Sequence, residues 1–319
     1  MLPIPNFKGY DFFPHGTRID FMRFRDVCFG LSVVMMLLSL GLFVFKGLNF
    51  GVDFKGGSLI EVRDAGGKPI DIGALRTTVG ALGLGSPQIQ EFGTPTDALI
   101  RLEQQPGGEK AQQEALTKVT AALGSAFEVR RVEVVGPAVS AELRFTGTIA
   151  VLAAIAAIIL YVWFRFEWQF ALGTVMALAH DVLLTIGIFS LFSLEFDLSI
   201  VAALLTILGY SVNDTVVVSD RIRENLRKYK RMPLRELLNL SVNETLSRTI
   251  LTGATTFAVL LSLFFFGGEV IRNFNFAMLF GILVGTYSSI FIAAPVLEYI
   301  GVPREATAPA SRPVASKPA

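Results

Sequence analysis

The side chains with chemistry to offer are few, and they stand in apolar surroundings. Asn213 and Asp214 interrupt Leu198–Ser219, a run otherwise apolar enough to cross a bilayer. Insertion scales place an aspartate at the centre of a membrane helix at about 2.5–3.5 kcal/mol unfavourable, so it needs a partner, a proton or a role. His180 and Asp181 interrupt Trp168–Leu194 in the same way, and Arg248 precedes the next apolar run, Thr249–Gly268. Counted inward from Asp220, Asp214 lies about 9 Å deep at the helical rise of 1.5 Å per residue. The stem of Arg248 can reach inward from the edge of its own span. An ion pair is therefore geometrically open, and protonating Asp214 would remove half of it. That is the physics of a proton-driven switch, since one charge crossing 100 mV is worth about 2.3 kcal/mol.

Each residue also has a plainer reading. Asn213 and Asp214 could serve only as hydrogen bonds between helices. Arg248 could be an interface anchor, and His180-Asp181 either a structural pair or a proton relay. Gly281 and Gly285 form a Gly-x-x-x-Gly that suits close helix packing. Other chemistries lack their motifs. His15 and His180 are far apart and no His-Glu-x-x-His occurs. No phosphate-binding Gly-x-x-x-x-Gly-Lys-Ser/Thr loop is present, Gly66-Gly67-Lys68-Pro69 reading as a turn, and there is no Gly-x-Ser-x-Gly elbow. The single cysteine, Cys28, rules out an internal disulfide and a multi-cysteine metal site. The sequence thus calls for no catalytic residue, no metal and no cofactor, and for a protein that is not an enzyme.

The elements that must position these groups belong to a polytopic membrane protein. Of 319 residues 52% are apolar and 17% charged, with mean hydropathy +0.56, which no ordinary soluble domain shows. The net charge of +1 gives no footprint for nucleic acid. Residues 1–26 read as a loop-like amino-terminal segment carrying Lys8, Arg18, Arg23 and Arg25. Residues 27–46 form a first, uncleaved span around the apolar run Val27–Phe45. Residues 141–300 make a five-helix bundle from Phe145–Phe164, Trp168–Leu194, Leu198–Ser219, Thr249–Gly268 and Asn273–Leu297. Within it, 220–246 reads as a basic loop with Arg221, Arg223, Arg227, Lys228, Lys230, Arg231 and Arg235, the mark of a cytoplasmic connection. An amphipathic, lipid-binding segment is the other reading of that loop. Both termini then fall inside with it, and residues 301–319, rich in Ala, Pro and Ser, read as a disordered cytoplasmic tail.

Residues 47–140 change character, with charges throughout, and parity places them on the outer face. Strand-like Ser58–Arg63, a helix from Asp71 to Leu82 capped by Asp71, and strands Ile89–Phe92 and Ala98–Leu102 about a Gly-Thr-Pro-Thr turn come first. A helix over Glu109–Leu123 and a strand over Phe127–Val135 complete the order βαββαβ, that of a ferredoxin-like domain. The predicted fold is six transmembrane helices with a ferredoxin-like α+β outer domain between the first and second.

Five ordered blocks resemble a known family. They are Gly51-Val-Asp-Phe-Lys-Gly-Gly57, Ala179-His-Asp181, the run Gly209–Asn225, Ser247-Arg-Thr249, and Gly267–Phe274 with Gly285–Ala293. Together they are similar to the SecD/SecF family of bacterial protein-export membrane proteins, over about Ile19 to Ile300. The resemblance implies the resistance-nodulation-division type of fold in the inner membrane. It also implies pairing with SecD, association with the SecYEG channel and further accessory membrane proteins of the translocon, and use of the proton-motive force to promote export of unfolded polypeptides. Position by position, it makes Asp214 the proton-carrying acid and Arg248 its basic partner. It marks Gly51, Asp53, Gly56 and Gly57 as a characteristic motif without assigning their chemistry. Ser219 departs from the aromatic usual there. A proton-coupled exporter of small molecules or lipids and a passive translocon scaffold are the competing functions; Asp214→Asn separates transporter from scaffold.

Overall fold

The computed structural model describes residues 18–302. His15 and most of the expected amino-terminal segment and carboxy-terminal tail lie outside the described residues. Six helical stretches are long and apolar enough to cross a membrane. The first is α1 (Arg25–Phe45). After it come a two-residue strand β1 (Asn49–Phe50), a one-turn helix α2 (Val52–Lys55) and β2 (Gly57–Asp64). Helix α3 (Ile72–Gly80), strands β3 (Gln88–Phe92) and β4 (Thr94–Leu102), helix α4 (Gly108–Leu123) and strand β5 (Phe127–Val135) follow. The other spans are α5 (Pro137–Arg165), α6 (Trp168–Phe192), α7 (Leu198–Lys228), α8 (Leu234–Phe266) and the pair α9 (Arg272–Ser288) and α10 (Ala294–Ile300), with β6 (Glu195–Phe196) between α6 and α7. A π-helical turn, Ser289–Ala293, joins α9 to α10.

The segment between α1 and α5 forms a four-stranded antiparallel sheet in the order β3–β4–β2–β5. With α3 and α4 as its crossovers, this is a split βαβ arrangement. Asp71 caps α3, accepting from the amides of Gly73 and Ala74 at 2.9 and 3.0 Å. One face of the sheet and both helices bury Ile60, Val62, Leu75, Val79, Ile89, Ile100, Leu102, Val119 and Leu123. The expected Gly-Thr-Pro-Thr turn is tighter than its composition suggests. Gly93, at φ +73°, turns the chain alone, and Thr94 already pairs with Phe92.

Helices α6, α7 and α9 occupy the centre of the bundle, while α1, α5 and α8 lie around them with most of their surface outward. Close approach is bought by small residues: a Cβ on Gly187 of α6 would meet Ser39 of α1, and one on Gly281 of α9 would meet Ile207 of α7. Two apolar clusters result. Near the domain, Phe54, Phe189, Phe196, Ile200, Leu204, Ile207, Met278 and Ile282 pack together. At the far end, Met22, Phe166, Phe170, Val218, Ile222, Leu237, Leu238 and Leu297 do the same.

The basic stretch expected as a loop over 220–246 is helical for most of its length. α7 continues to Lys228 and α8 begins at Leu234, so only 229–233 turn. Arg and Lys are good helix formers, and cross-links hold the two extensions together. Arg221 pairs with Glu224 at 2.6 Å and Glu244 at 2.8 Å, and Asn225 donates to Ser241 at 3.0 Å and Glu244 at 2.7 Å. On the same extension of α8, Asn239 accepts from the Met22 amide at 3.0 Å and Asn243 from the Ile19 amide at 2.9 Å.

Candidate functional site

A belt of polar side chains lies between the two apolar clusters, contributed by α6, α7, α8 and α9. Asp181 is its most buried acid, with none of its surface exposed. Its carboxylate is fully engaged: Ser211 of α7 donates to Oδ2 at 2.5 Å, Ser288 of α9 donates to the same oxygen at 3.0 Å, and His180 Nδ1 stands 3.0 Å from Oδ1. The His180 ring stacks on Tyr287, whose hydroxyl donates to the Cys28 carbonyl of α1 at 2.9 Å and lies 3.0 Å from the Ser32 hydroxyl. Asp181 thereby ties three central helices together, and His180 links the knot to α1 through Tyr287.

Asp214 is buried too, but in a different state. It lies on α7 three residues after Ser211, close to one helical turn further along the same face. Its Oδ2 has no hydrogen-bond partner, and the Thr215 and Thr249 hydroxyls are likewise buried without partners. Unsatisfied buried polar atoms are uncommon in folded proteins, and these lie on α7 and α8, which pack against each other. Arg248 on α8 is the charged group whose field reaches Asp214. No ion pair within 4 Å joins them among the described residues. Thr249 faces inward and Arg248, one residue earlier and so rotated by about 100° on a helix of 3.6 residues per turn, is exposed. Asn213 is exposed as well, on the outer side of α7. The structure therefore brings together His180 and Asp181, places Asp214 one turn from their anchor, and turns Asn213 and Arg248 outward.

The Gly51–Gly57 motif is remote from this belt, at the junction of the sheet domain and the bundle. β1 and β6 pair in parallel, and the Gly51 amide donates to the Phe196 carbonyl at 2.9 Å. A Cβ on Gly51 would stand 2.8 Å from Glu195 Oε1. Asp53 Oδ2 accepts the Leu198 amide at 2.9 Å, at the first residue of α7. Phe54 enters the apolar cluster near the domain against Phe50 and Phe196, and Arg144 of α5 donates to its carbonyl. Gly57, at φ +118°, lies so close to β4 that a Cβ would come 2.3 Å from the Leu102 carbonyl oxygen. Arg101 of β4 forms an ion pair with Glu195, which burial pushes up from the usual carboxylate range against the pull of that arginine. A cleft of about 200 Å³ opens beside the junction, lined in part by Asp53, Glu133, Glu195, Asp197 and Glu269.

Sequence reasoning passed over Ser211, Ser288, Thr215, Thr249 and Tyr287. The available signal was spacing: Ser211 precedes Asp214 by three and Tyr210 by four, on the buried stripe of an otherwise apolar helix. Among the described residues, no three His, Cys, Asp or Glu side chains converge as metal ligands.

The family described as Protein export membrane protein SecD/SecF, C-terminal, matches residues 115–302, and the SecD/SecF GG motif matches residues 41–63. The chain is 49% identical to the protein translocase subunit SecF of Rhodobacter capsulatus over 306 residues, covering 91% of each. It is 42% identical to the SecF of Escherichia coli O157:H7 over 295 residues, again covering 91% of each. The crystal structure of SecDF from Thermus thermophilus, a translocon-associated membrane protein, superposes with a TM-score of 0.81 at 36% identity, covering 89% of this chain. The chain spans 39% of that longer one. With a buried acid in the fourth span, a glycine-rich junction after the first and these matches along nearly its whole length, the chain belongs to the SecD/SecF family of protein-export membrane proteins.

Proposed function

We propose that this chain is an accessory subunit of the Sec protein translocase, acting with SecD to turn the proton-motive force into movement that promotes export of unfolded polypeptides across the inner membrane. The observation that carries the reading is Asp214: a carboxylate buried midway along a membrane helix, with one oxygen unpaired and the Thr215 and Thr249 hydroxyls unpaired as well. A purely structural acid would be satisfied as Asp181 is. An acid that must gain and lose a proton needs room for both states, and intramembrane acids mark proton paths. Arg248 supplies the nearby positive charge, and His180 with Asp181 fixes the scaffold on which Asp214 rides.

The partner fits the surface. Asn213 on α7 and Arg248 on α8 both face outward, and a polar group turned toward lipid finds no water to bond. A second six-span chain of the SecD type covers that seam, and the SecYEG channel is the further partner. The seven basic residues from Arg221 to Arg235 lie at the end of the bundle away from the sheet domain and argue for a cytoplasmic location there. The sheet domain then lies in the periplasm, and no catalytic step belongs to the chain.

The test is export-linked proton flux in membrane vesicles with protein levels matched. Asp214→Asn keeps volume and hydrogen bonding but cannot ionise, so the response to an imposed proton gradient should vanish. Asp214→Glu should keep part of it. A full response from Asp214→Asn would end the reading.

A further inference from the structure

The Gly51–Gly57 motif is left without a role by the proton site, and its geometry supplies one. We propose that it is the coupler between the sheet domain and the helix that carries Asp214, with Asp53 as the positioning residue that caps the start of α7. This rests on the reading of Asp214 given above and assigns the part through which its change reaches the domain.

The motif holds two bodies at once. Its first half belongs to the bundle. The Gly51 amide bonds the Phe196 carbonyl, Phe54 is buried among Phe196, Phe189 and Val201, and Asp53 takes the Leu198 amide at 2.9 Å. Its second half belongs to the domain. Gly56 and Gly57 both have positive φ, and Gly57 lets β2 start against β4 where any side chain would strike the Leu102 carbonyl. One turn of helix, Val52–Lys55, separates the halves, too short to act as a hinge of its own.

Asp53 differs from an ordinary cap because α7 already has one. Asp197 is the residue before the helix, and its carboxylate accepts the Ile200 amide at 3.1 Å and the Ser199 hydroxyl at 2.5 Å. The first turn of a helix leaves several amides unpaired. Here Asp197 serves one from the adjoining cap position, and Asp53 serves another from a different part of the chain, 145 residues earlier. A negative charge at that end is also favoured by the helix dipole. A shift of α7 along its axis would therefore move Leu198, pull on Asp53 and, through Gly56 and Gly57, move β2 at the centre of the sheet. The Arg101–Glu195 ion pair, from β4 to the loop before α7, runs beside it as a second strut.

The experiment uses the full chain assembled with its native partners in vesicles, with three variants side by side. Asp53→Leu removes the acceptor. Amide exchange at Leu198 should accelerate by about fivefold, as loss of a helix cap predicts. Proton flux through the complex should persist, while gradient-stimulated export falls by about tenfold. Asp53→Asn keeps an oxygen that can accept the same amide, so it should restore both exchange protection and most of the stimulation. Asp214→Asn is the control for the underlying reading: it should lose flux and stimulation together with Leu198 still protected. If Asp53→Leu keeps full stimulation while Asp214→Asn abolishes it, the coupler is overturned and the proton site stands. If Asp53→Leu fails to assemble, Asp53→Asn decides: wild-type behaviour supports the capping role, and loss of stimulation with unchanged exchange at Leu198 overturns it.

Discussion

The Ser211 hydroxyl of α7 donates to the Asp181 carboxylate of α6 at 2.5 Å, inside the protein and one helical turn from Asp214. This bond fixes the depth of α7 against α6 at the level where the unpaired acid sits. A hydrogen bond to a charged group contributes about 1.5–3 kcal/mol, so Ser211→Ala should lower the melting temperature of the assembled protein clearly. Ser288→Ala, whose bond to the same oxygen is 3.0 Å, should cost less. Melting points indistinguishable from wild type for Ser211→Ala would show that the knot does not hold the helices.

Gly281 brings α9 tightly against α7, where a Cβ would run into the Ile207 side chain. Gly281→Ala should destabilise the bundle by about 1–3 kcal/mol, the usual cost of overpacking. Adding Ile207→Ala should recover part of it, because the two changes share one contact. Additive losses in a double-mutant cycle would remove the steric account.

The domain carries its own pH dependence. The Arg63 guanidinium beside Asp97, with help from the Thr94 hydroxyl, holds the Asp97 carboxyl below the usual carboxylate range. A carboxyl depressed in the folded state stabilises above its unfolded value, about 3.9, and that contribution is lost as pH falls through the folded value. Unfolding of the domain, followed by amide exchange between pH 6 and 3, should steepen toward acid in the wild type. Asp97→Asn should be weaker at pH 6 by about 1.5–3 kcal/mol and flatter toward acid. Parallel pH profiles for the two proteins would contradict the assignment.

Asn213 faces out of the bundle from the middle of α7. Expressed without a partner, the chain should be more sensitive to protease than in its complex, because that seam is left in lipid. Asn213→Leu should reverse the order, raising the resistance of the lone chain and lowering the amount of partner retained on purification. Equal retention by both proteins would show that this face is not the contact.

The spans were legible because long uncharged runs have few other readings, and the sheet elements because their patterns are local. What escaped was set by distance along the chain. β1 and β6 are two residues each and exist only through one another. The bond from Asp53 to Leu198 joins residues 145 apart, and nothing near either announces it. Ser211 and Ser288 look like tolerated small residues until the fold places Asp181 between them. The charged stretch after Ser219 reads as a loop from its basic residues alone, whereas in the fold Glu244 and Ser241 of the next helix receive Arg221 and Asn225. Arg248 was expected to meet Asp214, and helical phase alone sends its neighbour Thr249 inward instead.

The amides of Ile19 and Met22, just ahead of the first span, are received by Asn243 and Asn239 on α8, and the other end of that span is fastened through β1 to Phe196. Both fastenings are synthesised long after α1 itself. At ribosomal speeds of about 5–20 residues per second, the first helix waits on the order of ten seconds or more before its tether to α8 exists. A ribosome stalled before Asn239 would leave α1 packed on α6 through Ser39 and Gly187 but without the bonds at Ile19 and Met22. The order of manufacture thus leaves the last span, whose Tyr287 bonds the Cys28 carbonyl and the Ser32 hydroxyl, to close α1 into the bundle.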